Sequence, residues 1–171
     1  MKRAIAISSA MAIVLCGAAL MAQGKNFAGK WTPDTDKNAA AMAAMAGAGG
    51  GGGGGGARGG GGGGRGGVAS DMTIAMDAKT LTITRTTQAG ETKTVYNLDG
   101  TDSKITMGQG EAVAKAKWDG DKLVIETTSQ GQNGPQVQKV TWYLDGASLV
   151  QERAPRQEGA PAAKTFYKKA S

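Results

Sequence analysis

The sequence predicts an all-β protein: an antiparallel up-and-down meander closed into a barrel of about 8–10 strands, with one short helix and a disordered Gly-rich insertion. Three observations point there. Residues 71–169 alternate apolar and polar positions almost from end to end, the signal of half-buried strands. Nine strand candidates lie in that stretch and one more at 26–31, joined by short connections. Those connections are of two kinds that alternate along the chain, as the two ends of an up-and-down barrel require.

The chain opens on Lys2 and Arg3, then an Ala-rich apolar run from Ala4 to Leu20. Leu20-Met21-Ala22 ends in a small residue suited to cleavage before Gln23. Residues 1–22 are therefore expected to be a signal peptide, and the mature protein to be periplasmic or secreted. A membrane span would need about 20 strongly apolar residues. This run is short and rich in Ala and Ser, so no transmembrane span is expected in the mature chain. Lipid attachment at Cys16 is the other reading, but a small residue should precede such a cysteine and Leu15 is not small. Cys16 is the chain's only cysteine. It leaves with the signal, so stability must come from packing, although the compartment would permit a disulfide.

The chain contains no histidine. That removes the commonest general base and the commonest metal ligand. Without His and Cys, serine-, cysteine- and zinc-type sites of the familiar kinds cannot be built. No catalytic residue, metal site or cofactor is assigned, and the protein is not expected to be an enzyme. The net charge of +6 falls to +4 when Lys2 and Arg3 leave, a value that argues for solubility more than for any partner.

Residues 23–32 form the first strand region. Residues 33–47, "PDTDKNAAAMAAMAG", read as a short helix. Asp34 or Asp36 can cap it, alanine favours it, and Gly47 can end it. At two or three turns it needs tertiary contacts, and Met42 and Met45, on one face, are its expected docking stripe. Residues 48–70 form a linker. The glycine tract within them has no apolar groups to bury and high backbone entropy, so disorder is expected. Spanning about 25 Å as a coil, it reads as a spacer in the first connection. Residues 71–171 complete the barrel.

Within the meander, "TLTITRTT" (80–87) alternates Thr with Leu81, Ile83 and Arg85. "AVAKAKW" (112–118) sets Ala112, Ala114, Ala116 and Trp118 opposite Lys115 and Lys117. "KVTWYL" (139–144) sets Val140, Trp142 and Leu144 on one face. Asp77-Ala78, Asp99-Gly100, Asp119-Gly120 and Asp145-Gly146 read as tight hairpin turns, in which glycine supplies positive φ. The looser loops are 88–90, 108–110, 131–134 and 154–163. Chain order places the tight turns at one end. The loose loops, with the helix and glycine tract, fall at the other. Trp118, Trp142, Tyr143, Tyr96 and Trp31 then lie towards the tight end, as an aromatic plug. The loose end offers Thr86, Thr87, Thr92, Thr94, Met107 and Thr127. Arg85 shares the inward parity of Leu81 and Ile83, where it can meet an anionic ligand inside the mouth or sit at the rim in water. Arg85, Thr94, Met107 and Thr127 are the candidate ligand-binding residues.

The segment "NFAGKW" resembles the start motif of the lipocalins, Gly29-x-Trp31 on the first strand. The resemblance implies a lipocalin-like (calycin-type) barrel with an open mouth, covered by the link between the first two strands. It makes Gly29 and Trp31 structural, as the aromatic plug makes Trp118 and Trp142. In lipocalins the tryptophan packs beneath an arginine from a late strand. Arg153 is the counterpart here but falls near the loose end, whereas the last strand offers Lys168 and Lys169. "NLDG", "KWDGDKLVIETT" and "YLDGASLV" are also similar to a repeated pattern of small secreted bacterial proteins loosely described as lipocalin-like.

Sharper readings of single motifs are weaker. Arg58 and Arg65 precede glycines as in RNA-binding segments, but two arginines without aromatic residues behind an export signal argue for a spacer and no nucleic acid. "DTDKN" (34–38) begins like a calcium loop, yet Ala39 and Met45 stand where Gly and Glu are required. Met42 and Met45 are soft ligands with nothing to complete a copper site. Asp119 and Asp121 read as turn formers rather than an acid–base pair.

The expected function is a noncatalytic binding protein for a small molecule held inside the barrel, where Ala112, Ala114 and Ala116 leave room. The alternative is a structural or surface-interaction protein of the cell envelope with no internal ligand, the glycine tract making the contact. A monomer is expected in either case.

Overall fold

The computed structural model describes residues 25–48, 69–87, 90–107, 110–132, 134–155 and 159–170. The expected signal peptide with Cys16, and the glycine tract with Arg58 and Arg65, lie outside the described residues.

The elements in chain order are β1 (Gly29–Pro33), α1 (Thr35–Ala48), β2 (Met72–Met76), β3 (Thr80–Thr87), β4 (Gly90–Asn97), β5 (Asp99–Met107), β6 (Gly110–Asp119), β7 (Lys122–Gly131), β8 (Gly134–Asp145), β9 (Ser148–Arg153) and β10 (Ala163–Lys169). All ten strands form one antiparallel sheet in the order β4-β3-β2-β1-β10-β9-β8-β7-β6-β5. Consecutive strands pair except β4 and β5, which are the two edges of the sheet, and β1 joins β10. The sheet curls into a nearly closed barrel. At its seam the Asn97 amide donates to Ser103 Oγ at 2.8 Å, and Asn97 Nδ2 to the Asp102 carbonyl at 3.1 Å.

Alternation fixes which face looks inward. Leu81 and Ile83, Ala112, Ala114 and Ala116, Leu123 and Ile125, and Leu149 and Tyr167 share one core with Trp31 and Trp142. Lys115, Lys117, Glu126 and Glu152 fall on the opposite face. At the tight end, Gly120 (φ +60°) and Gly146 (φ +57°) adopt the left-handed conformation that the Asp-Gly turns need. Asp77 Oδ1 closes its turn by accepting from the Lys79 and Thr80 amides, both at 2.7 Å. One expected turn is displaced. Leu98 alone links β4 to β5, and Asp99-Gly100 belongs to an irregular start of β5, where the register slips between Asp99 and Asp102. Leu98 is buried, so the chain turns on its most apolar residue instead of on the Asp-Gly pair.

The plug at the tight end is built around Phe27, which precedes β1 and is fully buried. Its ring lies 5.4 Å from Trp118 and 6.4 Å from Trp142, and its carbonyl accepts the Trp31 indole N–H at 2.8 Å. Lys169, not Arg153, stands over Trp31.

The helix docks by different residues from those expected. Asp34 caps it, its Oδ1 accepting from the Lys37 amide at 3.2 Å. Asn38 extends the ladder past the end of β1. Its Oδ1 takes the Phe166 amide at 2.7 Å, and its Nδ2 donates to the Phe166 carbonyl at 2.9 Å. Lys37 Nζ reaches Ser148 Oγ at 2.7 Å. Ser148 and Phe166 sit on the outward parity of β9 and β10, so the first turn of α1 is fastened to the barrel wall. Met42 and Met45 are 67% and 36% exposed and do not form the docking stripe. The hydrogen-bonding needs of the β10 edge, left open where β1 stops, outweigh the weak pull of two thioethers.

Candidate ligand-binding site

The inward face changes character along the barrel axis. Towards the tight end it is apolar and closed. Towards the loose end Thr127, Ser129, Gln138, Gln151 and Thr165 follow the same inward parity and are half-buried, whereas Thr94, expected at that end, lies level with Ile83 on the tight-end side of Arg85. Arg85 marks the boundary. It lies on β3 between Met72 of β2 and Thr92 of β4 and is half-buried.

The guanidinium meets a thioether: Arg85 Nη2 lies 3.9 Å from Met72 Sδ, and Gln151 Nε2 approaches the same sulfur at 3.9 Å from β9. Met72 thus bridges two donors across the interior. Burial pushes the Tyr167 phenol above its ordinary value, against the pull of the nearby Arg85 and Arg153. Tyr96 is raised by burial in the same way and is also opposed by Arg85. No Asp or Glu of the described strands faces inward: Glu91, Asp102, Glu111, Glu126 and Glu152 all take the outward parity. Among the described residues, no carboxylate forms an ion pair with Arg85.

The predicted site residues are partly assembled. Arg85 is drawn to Met72, Tyr96 and Tyr167. Thr94 lies opposite Ile83 on the inward face of β4, and Thr127 lies between Ala114 and Gln138. Met107 ends β5 at the rim and is exposed. None of the described polar contacts joins Thr94, Met107 or Thr127 to Arg85. The alanine stripe does not leave the expected room: Ala114 and Ala116 are 0% exposed, because neighbouring side chains close over them. The inward side chains that keep partial exposure, Thr127, Ser129 and Gln138 among them, lie nearer the mouth.

Sequence reasoning missed Met72, Gln151 and Tyr167 as interior polar partners. Parity carried the signal for Gln151 and Arg153, which share the inward face of β9 with Leu149. Nothing in the local sequence pairs Met72 with Arg85.

In overall structure the chain is similar to a secretory abundant heat soluble (SAHS) protein from Ramazzottius varieornatus, with a TM-score of 0.56 and 17% identity over 86% of this chain and 97% of that one. It is similar to the REP1-NXSQ fatty acid transporter, with a TM-score of 0.51 and 15% identity over 84% and 96%. Human cRBP IV gives a TM-score of 0.51 and 14% identity over 85% and 99%. The fold is a calycin-type, lipocalin-like barrel. No protein-family model matches the chain, and no curated protein matches it in sequence. At these identities the likeness concerns the fold alone. No described helix of this barrel is long and apolar enough to cross a membrane.

Proposed function

We propose that this is an exported, noncatalytic binding protein that holds a small anionic molecule in the loose half of its barrel. One observation carries the reading. Arg85 faces inward, half-buried, with a thioether where a carboxylate would ordinarily stand. Placing a cation in such surroundings is costly unless it is paired, and an incoming anion supplies the pair. Arg153, at the rim on the same parity, adds to the attraction. Thr94 and Thr127 offer hydroxyls to orient the ligand, and Met107 flanks the entrance. The REP1-NXSQ protein of similar fold is described as a fatty acid transporter, which supports a binding role for a barrel of this shape.

The alternative, an envelope protein with no internal ligand, draws on the closed lower interior at Ala114 and Ala116. Titration with 1-anilinonaphthalene-8-sulfonate, an organic anion that fluoresces when shielded from water, separates the two. The binding reading predicts one saturable site per chain that R85Q weakens about tenfold, equivalent to about 1.4 kcal/mol. Absence of a saturable site in the wild type favours the alternative.

A further inference from the structure

We infer that the ligand is a compact, polar organic anion and not a long-chain lipid. This rests on the binding reading above and deepens it.

The Arg85–Met72–Gln151 bridge crosses the interior from β3 to β9 through the sulfur of Met72. On the three strands involved, the inward residues between the bridge and the tight end include Ile74, Ile83, Leu81 and Leu149, all buried. Trp31 packs beside Met72, and the Phe27–Trp118–Trp142 cluster fills the base. A hydrocarbon tail whose head rests on Arg85 finds that half of the barrel already occupied by buried side chains.

The remaining direction is towards the mouth, and its lining is the wrong chemistry for a tail. Thr127, Ser129, Gln138 and Thr165 present hydroxyls and amides to the interior. Methylene groups laid against them displace water without replacing its hydrogen bonds, which loses affinity. Hydroxyl, amide or further carboxylate groups on the ligand replace those bonds. The geometry selects an anion short enough to sit between Arg85 and the rim, and decorated with polar groups around its body.

Isothermal titration of the purified protein against gluconate, 4-hydroxybenzoate, octanoate and palmitate tests this. The expected result is that gluconate or 4-hydroxybenzoate binds at least about tenfold more tightly than palmitate, with no gain from octanoate to palmitate. R85Q should lose that binding and R85K should keep most of it. Both variants are checked for native unfolding curves. Affinity that climbs from octanoate to palmitate and is still lost in R85Q overturns the ligand class while leaving the site in place. Failure of all four probes to bind the folded wild type overturns the binding reading itself, and this inference with it.

Discussion

Lys169 Nζ lies 5.3 Å from the centroid of the Trp31 ring and donates to the Ala28 carbonyl at 3.3 Å. The last strand thus adds a cation contact to the backbone ladder that joins it to the first. Gly29 makes the approach feasible. Its φ is +134°, and a Cβ there would sit 3.3 Å from the same Nζ. Gly29→Ala should therefore destabilise the barrel by about 1–3 kcal/mol, through backbone strain and displacement of the lysine. Lys169→Met, which keeps the stem and removes the charge, should cost only about 0.5–1 kcal/mol. Urea unfolding followed by tryptophan fluorescence measures both. Equal losses would mean that the cation, and not the backbone, sets the requirement for glycine.

Phe27 is the keystone of the plug. Phe27→Ala should cost about 3–5 kcal/mol, since it removes a fully buried ring from between Trp118 and Trp142. The emission of those tryptophans should shift to the red in the folded variant as water enters. Unchanged emission and stability would show that the base of the barrel closes without it.

Asn38 replaces a strand residue by side chain alone. Asn38→Ala leaves both the amide and the carbonyl of Phe166 without that partner. The expected cost is about 1–2 kcal/mol for two hydrogen bonds. The sharper readout is hydrogen exchange: protection of the Phe166 amide should fall while that of Leu149 is kept. Unaltered protection at Phe166 would show that α1 is held by other contacts.

Asp77 gives the acid side of the stability profile. The Thr80 hydroxyl, bonded to its carboxylate, and the backbone amides of Lys79 and Thr80 hold its pKa below the ordinary 3.8. A depressed carboxyl contributes stability that is fully present above its unfolded value and is lost as pH falls through the folded one. Asp77→Asn should therefore lower the melting temperature slightly at pH 7. The gap to wild type should close as pH drops below 3.8, which thermal melts at pH 7, 5, 3 and 2 will show. A gap that persists at pH 2 would assign the effect to geometry instead of charge.

Much of the barrel was legible because period-two alternation states which face is buried before any partner strand is known. The Ala112-Ala114-Ala116-Trp118 face and the Leu81-Ile83-Arg85 face both appear as read. The glycine at each Asp-Gly pair carried the hairpin signal at Gly120 and Gly146; Gly100 also has a positive φ (+83°) but sits within the irregular start of β5, just after the turn at Leu98. The docking of α1 was illegible because it depends on where β1 stops along β10, a matter of register that spacing does not encode. For the candidate site, inward parity found Arg85. Its bridge to Met72 and Gln151 joins residues on β2, β3 and β9, and only closure of the barrel brings them together.

The central claim is that Arg85 waits for an anion. Native mass spectrometry of wild type and R85Q, each exported in the protein's own host and purified gently, tests it most directly. The account predicts a stoichiometric adduct on wild type, lost on denaturation, whose mass matches a small organic anion, and its absence from folded R85Q. A bare wild-type mass, or an adduct retained equally by R85Q, would contradict it.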